Sequence, residues 1–184
     1  EIVDGGWPEL TTRKPYDEKG SSNLAIATAR NGTSYLYVTH ASYGFPPPGA
    51  LGEYQGSLTT INLATGTQNV FNGVCSDKND HLYPKGTQDP YCNEKESGMW
   101  GRSGVVYDAE TDHIYVATGN GPFSPDDYHW GNSVLALNPD GSSEFGIPLD
   151  SFTPEGYEQL DTFDLDVGSV SPLMVTAPKG SKIP

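Results

Sequence analysis

The chain has 184 residues, enough for one domain with a hydrophobic core, and its formal net charge of −14 argues against nucleic acid as a partner. Its 22 glycines and 15 prolines, with no long stretch of apolar residues at helical spacing, favour short strands and turns over helices. No apolar run reaches the roughly 18 residues of a transmembrane helix, so no membrane span is expected. The acidity is typical of a solubilising surface, with cation binding as the alternative.

The first half of the chain predicts a turn-rich segment followed by four strands. Residues 1–22 are polar and form an N-terminal segment without a predicted element. The strands are expected at 23–29, 35–40, 56–63 and 67–74. Asn31-Gly32 between the first two strands is a strong hairpin signal. Together with Thr33 it forms an N-glycosylation sequon, so Asn31 is a candidate glycosylation site.

The two cysteines flank a polar stretch that shows no strand pattern. A disulfide between Cys75 and Cys92 that closes this stretch is expected, and two free thiols are the alternative. A disulfide and a sequon both suit a secreted or extracellular protein, or a periplasmic one. The sequence starts without an initiator methionine or a signal peptide, and we interpret it as a mature or cut form.

The pattern of strands and turns begins again after residue 98. Strands are expected at 105–107, 113–117 and 133–137, and a third unit is expected to begin with a strand at 169–176. Leu36-Tyr37-Val38 matches Ile114-Tyr115-Val116 at an offset of 78, and 57–62 matches 133–138 at an offset of 76. Two matches at nearly one offset indicate an internal repeat.

A repeat of about 75 residues with four short strands has the size of a large-looped β-propeller blade. The chain is therefore predicted to be all-β. Its expected parts are the N-terminal segment 1–22, a blade with a disulfide-closed loop at 23–98, a second blade at 99–168 and the start of a third at 169–184. A closed propeller needs at least about four blades, so the remaining blades are expected partners, as another segment or as other copies. A self-contained β-sandwich with a chance repeat is the alternative.

Several motifs occur in one order along the chain. Residues 98–122 hold a tryptophan segment, a strand, a Tyr-Asp-Ala-Glu turn and a strand that ends in Gly-Asn. Residues 56–66 and 130–141 each hold a strand that ends in a glycine turn, and 162–166 holds an aromatic-Asp pair. Over roughly 23–178 this order resembles the quinoprotein alcohol dehydrogenase-like family of eight-bladed β-propellers. The resemblance implies oxidation of alcohols or sugars with pyrroloquinoline quinone (PQQ) and Ca²⁺ or a lanthanide.

The resemblance also implies roles for individual residues. Trp100 would be the floor under the cofactor, because a flat indole stacks on a planar quinone. Asn120 would offer its side-chain oxygen to the metal, and Asp164 would be the general base and lie at the metal. Asp166 would be a further metal ligand suited to a lanthanide, and Glu53 would be a metal ligand if its loop shifts. The structural alternatives are a core tryptophan, a turn asparagine and a solvated acidic loop.

The chain departs from the family pattern in three ways. Leu51 stands where the family has a metal-binding glutamate, Met99 stands where a threonine commonly precedes the floor tryptophan, and the family's adjacent Cys-Cys pair is absent. These departures favour a non-catalytic quinoprotein-like propeller that binds a glycan or a protein. The alternative is a PQQ- and metal-dependent dehydrogenase of which this chain is the central part. The dehydrogenase requires Trp100, Asn120 and Asp164 in one pocket, whereas the binding module predicts an aromatic patch or groove elsewhere.

Overall fold

The chain forms antiparallel β-sheets, one short α-helix and two 3₁₀ helices (Pro125–Asp127 and Val167–Ser169) in a computed structural model that describes residues 10–20, 22–42, 53–84, 86–177 and 179–181. In chain order the elements are β1 (Glu18–Lys19), β2 (Ala25–Thr28), β3 (Ser34–Ser42), β4 (Ser57–Asn62), β5 (Gln68–Asn72), β6 (Val106–Asp108), β7 (His113–Ala117), β8 (Phe123–Ser124), β9 (His129–Trp130), β10 (Val134–Leu137), β11 (Asp150–Phe152) and α1 (Tyr157–Phe163). The expected all-β class is confirmed.

The first sheet, β1 to β5, is built around β3. β4 pairs with one edge of β3 and β5 with the far edge of β4, while β1 and β2 share the other edge of β3, all antiparallel. β3 is rich in aromatic and β-branched residues, which favour extended backbone. The predicted hairpin before it is confirmed: Gly32 has a φ of 86°, and Asn31 Oδ1 accepts a hydrogen bond from the Thr33 N–H at 2.9 Å.

The second sheet consists of β6, β7, β10 and β11 in that spatial order, again antiparallel. The polar turn between β6 and β7 is closed by Asp108, whose carboxylate accepts hydrogen bonds from Glu110 and Thr111. Between β7 and β10 the chain inserts the small hairpin β8–β9. Phe123 of this hairpin packs edge-on against Tyr157, with ring centroids 5.3 Å apart, which anchors α1.

The two sheets share one hydrophobic core. Tyr37, Leu58 and Phe71 of the first sheet belong to the same buried cluster as Ile114 and Leu135 of the second. Polar contacts also join the sheets. The Tyr37 hydroxyl donates a hydrogen bond to the Pro139 carbonyl at 2.8 Å. The Arg30 guanidinium donates one to the Glu110 carbonyl at 2.9 Å. The two sheets therefore fold as one packed unit.

The strand predicted at 169–176 is not observed. Ser169 ends a short 3₁₀ helix, and residues 170–176 form no strand. Val170, Leu173 and Val175 are largely exposed, because no described strand lies beside them to pair with. Conversely, α1 was not predicted from the sequence. Its seven residues include no buried side chain, so they carry no apolar stripe at helical spacing.

Three further points from the sequence analysis concern the disulfide, membrane spans and Leu51. Cys75 and Cys92 form a disulfide, as expected. In the part of the chain that is described, no helix is long and apolar enough to cross a membrane. Leu51 lies outside the described residues.

Candidate functional site

A cavity of about 350 Å³ lies where β1, β3 and β7 end. The side chains that give it chemical character are Lys19, Tyr54, Glu96, Trp100, Asn120, Asp164 and Asp166. Four of these, the tryptophan, the asparagine and the two aspartates, were predicted as site residues from positions up to 66 residues apart in the sequence. The fold thus brings the tryptophan and acidic motifs to one place.

Trp100 forms the aromatic wall of this cavity because two glycines let its ring approach the backbone. A methyl group on Gly98 would lie 2.5 Å from the indole, and one on Gly119 would lie 2.0 Å from it. These distances are far below van der Waals contact, so any larger residue would displace the ring. The Gly119 N–H also donates to the Gly98 carbonyl at 2.8 Å, which fixes the two glycines beside each other. The backbone of Gly98 and Gly119 therefore fixes the position of the indole from one side of the ring.

The acidic segment after α1 is tied to the end of β7 by hydrogen bonds. α1 ends at Phe163, and Asp164 caps it with a left-handed φ of 56°. Asp164 Oδ1 accepts a hydrogen bond from Asn120 Nδ2 at 3.0 Å, and Asp166 Oδ1 accepts one from the Asn120 backbone N–H at 2.7 Å. One asparagine therefore holds both predicted carboxylates at the cavity.

Glu96 is a third carboxylate in the cavity, and the sequence did not indicate it. It has a left-handed φ of 75°, its N–H donates to the Tyr54 carbonyl at 2.7 Å, and its own carbonyl accepts from Gly56 at 2.9 Å. These bonds seat it beside the first sheet. The sequence signal that could have indicated Glu96 is its position four residues before Trp100, because a residue so close along the chain to the aromatic wall is expected to lie near the cavity.

Burial and like charges shift the titration of these groups. Burial raises the pKa of Asp166, and the charge of Asp164 raises it further, while the hydrogen bond from Asn120 lowers it. The pKa of Glu96 is raised by burial and by the nearby aspartates, partly offset by Lys95. Burial and the same carboxylates raise the pKa of the Tyr54 hydroxyl. The cavity is therefore a concentration of hydrogen-bond acceptors whose charges repel one another.

The expected planar ligand fits this arrangement better than the expected metal does. The Trp100 ring offers a flat wall. However, Asn120 presents its amide nitrogen to Asp164, and its oxygen accepts a hydrogen bond from Asn132 Nδ2 at 3.3 Å. Within the described ranges, no three His, Cys, Asp or Glu side chains are placed to hold one metal ion. As arranged, Asn120 and Asp164 are hydrogen-bond partners of each other and not two oxygen donors to one cation.

The remaining predicted residues lie elsewhere. Glu53 lines a separate cavity of about 230 Å³, where its carboxylate is 3.6 Å from Lys95 Nζ. Met99 is fully buried in the shared core, so it faces away from solvent. Asn31 is exposed at the tip of the β2–β3 hairpin.

Comparison of the chain with protein-family models, with curated proteins and with solved structures finds no match. Its function is therefore inferred from the chemistry of the cavity.

Proposed function

We propose that the chain is a sugar-binding module of a quinoprotein-like β-propeller, without catalytic activity of its own, and that the cavity beside Trp100 is its binding site. One observation carries the proposal: an indole and three carboxylates line a single cavity of about 350 Å³. That volume lies at the lower end of the range for small-ligand pockets, about 300 to 1,000 Å³. It suits a ligand of one or two sugar rings.

The two kinds of lining group match the two kinds of surface on a sugar. The C–H face of a pyranose is apolar and packs on an indole such as that of Trp100. Its hydroxyls donate hydrogen bonds, and the carboxylates of Glu96, Asp164 and Asp166 accept them with the added strength of a charged acceptor. A neutral, hydroxyl-rich ligand therefore satisfies the acceptors, whereas an anionic ligand meets three carboxylates against the single ammonium group of Lys19.

The scaffold and the surface support a larger assembly. Both sheets are antiparallel with four strands side by side, the plan of a propeller blade. Apolar side chains at the end of α1 and in the segment after it are exposed: Phe163, Leu165, Val170, Leu173 and Val175. Burial against further blades, from another segment or from other copies, would remove this apolar surface from water. The native mass of the purified protein, from light scattering at several concentrations, tests this part of the proposal, and a strictly monomeric chain of 19.8 kDa contradicts assembly of copies.

Calorimetric titration with a panel of neutral mono- and disaccharides tests the binding proposal. We expect weak saturable binding of at least one sugar, and loss of that binding in Trp100→Ala because the stacking surface is removed. Tyr16→Ala is the matched control, since Tyr16 is an aromatic residue that is 93% exposed and does not line the cavity. Absence of binding across the panel, or equal binding by the Trp100 and Tyr16 variants, contradicts the proposal.

A second candidate is the PQQ-dependent dehydrogenase, and one observation favours it: Trp100, Asn120 and Asp164 share a cavity, as that chemistry requires. A bound quinone would supply the electron acceptor. Trp100 would hold it, and Asp164 would take the hydroxyl proton of an alcohol or sugar. Asn120 would first have to turn its oxygen toward the cation.

Dye reduction separates the two candidates. The protein is mixed with PQQ, an artificial electron acceptor, sugars or primary alcohols, and either Ca²⁺ or La³⁺. Turnover that disappears in Asp164→Asn supports the dehydrogenase. Sugar binding without PQQ and without turnover supports the binding module.

An extracellular location is the third part of the proposal. The Cys75–Cys92 disulfide and the exposed sequon at Asn31 support it. Expression through a eukaryotic secretory pathway should give a product whose mass falls on treatment with an N-glycosidase. Asn31→Gln should show no such fall, and an unmodified wild-type product argues against the glycosylation site.

A further inference from the structure

Asn132 is a polar residue that is completely buried beside the cavity without lining it. It lies in the turn from β9 to β10 with a left-handed φ of 48°. Its backbone N–H donates to the Gly119 carbonyl at 2.7 Å, one residue before Asn120. The turn is thus fixed against the backbone that carries the cavity asparagine.

The side-chain amide of Asn132 joins three separate segments. Its Nδ2 donates to Asp161 Oδ1 at 2.5 Å and to Asn120 Oδ1 at 3.3 Å, and its Oδ1 accepts from the Val167 N–H at 3.1 Å. A carboxylate can only accept and a backbone N–H can only donate. The orientation of the Asn132 amide is therefore dictated by its partners, Asp161 on one side and Val167 on the other.

This fixed orientation determines that of Asn120. The oxygen of Asn120 faces the NH₂ group of Asn132, so its own nitrogen faces Asp164 and donates to it at 3.0 Å. A flipped Asn120 would place its oxygen against the Asp164 carboxylate and its NH₂ group against that of Asn132. Both contacts would be repulsive, which leaves one stable arrangement.

We infer that Asn132 is a positioning residue of the cavity, which acts through Asn120 to hold the Asp164 carboxylate in one orientation toward a bound sugar. The inference rests on the proposed sugar site. Asn132 does not line the cavity itself, so its effect on binding passes through Asn120. A carboxylate that is already oriented spares the ligand the entropy loss of ordering it.

A double-mutant cycle tests this. Asn132→Gly suits the left-handed φ of 48° and removes the side-chain donor to Asn120 without placing a new charge against Asp161. We expect Asn132→Gly and Asn120→Ala each to weaken sugar binding about tenfold, and the double variant to bind no more weakly than Asn120→Ala alone. Asn138→Gly is the control. It makes the same substitution at the other end of β10, where the side chain bonds only to Ser142, and its affinity should equal that of the wild type.

Two outcomes overturn the inference. In the first, the fold-losses of the two single variants multiply in the double variant, which means that Asn132 and Asn120 act independently. In the second, the side-chain amide protons of Asn120 exchange with solvent at the wild-type rate in Asn132→Gly, as measured by NMR on ¹⁵N-labelled protein. We expect their exchange to accelerate about tenfold, since the hydrogen bonds that hold the amide are weakened.

The NMR measurement needs no ligand, so it separates failure of this inference from failure of the proposed function. If wild-type protein binds no sugar but exchange accelerates in Asn132→Gly, the sugar site is wrong and the positioning of Asn120 by Asn132 stands. Near-UV circular dichroism of each variant confirms that the fold is kept before either comparison is made.

Discussion

The two sheets have the same arrangement of strands but differ in where their polar side chains lie. The first sheet has the longer strands and keeps its polar groups inside: Lys14 and Glu18 form a buried ion pair at 2.6 Å, and His40 is buried at the end of β3. The second sheet has shorter strands, and its edge strand β11 is wholly exposed. Its distinctive groups lie outside the strands, in the connection from β7 to β10 that contains Asn120 and Asn132.

The difference shows a division between stability and ligand chemistry. Buried ionisable groups make the first sheet sensitive to pH, because their charge states change the free energy of unfolding. The connections of the second sheet supply the hydrogen bonds that shape the cavity. Both depend on the one core that the sheets share, and the following predictions separate these contributions.

The largest effect on stability is expected from substitutions that leave an empty space in the shared core. Leu58 in the first sheet and Leu135 in the second are both fully buried in one cluster. Leu58→Ala and Leu135→Ala should each lower the free energy of unfolding by about 2 to 5 kcal/mol. Urea denaturation should show a single transition for both variants. Two separate transitions in either variant would contradict a common core.

Loss of the disulfide should be the next largest effect. Cys75 and Cys92 are separated by 17 residues, and a closed loop of that size stabilises the folded state by about 3 kcal/mol. Cys75→Ser combined with Cys92→Ser should therefore lower the urea midpoint. The loop also leads to Glu96, so sugar affinity should fall as well. An unchanged midpoint would show that the loop is held by its other contacts.

The buried histidine His40 should make the stability depend on pH. Burial, together with a smaller contribution from the charge of His81, lowers the pKa of His40 to about 4. Unfolded chains take up this proton near pH 6.5, so acid favours the unfolded state. Between pH 6.5 and 5 the free energy of unfolding should fall by about 2 kcal/mol on account of this residue.

The comparison variant is His40→Gln, which cannot titrate. Thermal melts at both pH values should show a smaller loss of stability on acidification in this variant than in the wild type. His81 also has a pKa lowered to about 4, chiefly by burial, so part of the pH dependence should remain. An identical pH dependence in variant and wild type would mean that His40 does not contribute.

The smallest effect is expected at Gly119, and it should be on binding. Its added methyl group would lie 2.0 Å from the Trp100 ring and 2.7 Å from Asp166 Oδ1, so both must move. We expect Gly119→Ala to weaken sugar binding about tenfold by displacing the stacking surface. Gly156→Ala is the control, since no atom lies within 4 Å of the new methyl group. Equal sugar affinities of the two variants would mean that Trp100 does not contribute to sugar binding.

β2 to β5 of the first sheet could be predicted to within a few residues because Asn31-Gly32 and the β-branched runs are local signals, whereas the two-residue β1 lies in the segment 1–22, for which no element was predicted. The strand expected at 169–176 depends on a neighbour, and its absence follows from tertiary structure that no local pattern encodes. Helix α1 was missed for a similar reason: it is held by the contact of Tyr157 with Phe123, not by a buried face.

Part of the cavity could be predicted as well. Trp100, Asn120, Asp164 and Asp166 were singled out from motifs, and the fold places them together. The orientation of the Asn120 amide could not be predicted, since it is decided by Asn132, whose hydrogen bonds reach across the fold. Residue types indicate which chemistry is present, but the direction of each donor depends on packing.

The carboxylates at the end of α1 and just after it are held by uncharged donors. Asp161, Asp164 and Asp166 accept hydrogen bonds from the amide groups of Asn120, Gly121 and Asn132. Dissolved ions screen the repulsion among carboxylates, but they weaken direct hydrogen bonds to uncharged amides much less. Although the chain has a net charge of −14, we therefore expect the cavity to keep its shape from low to high salt concentration.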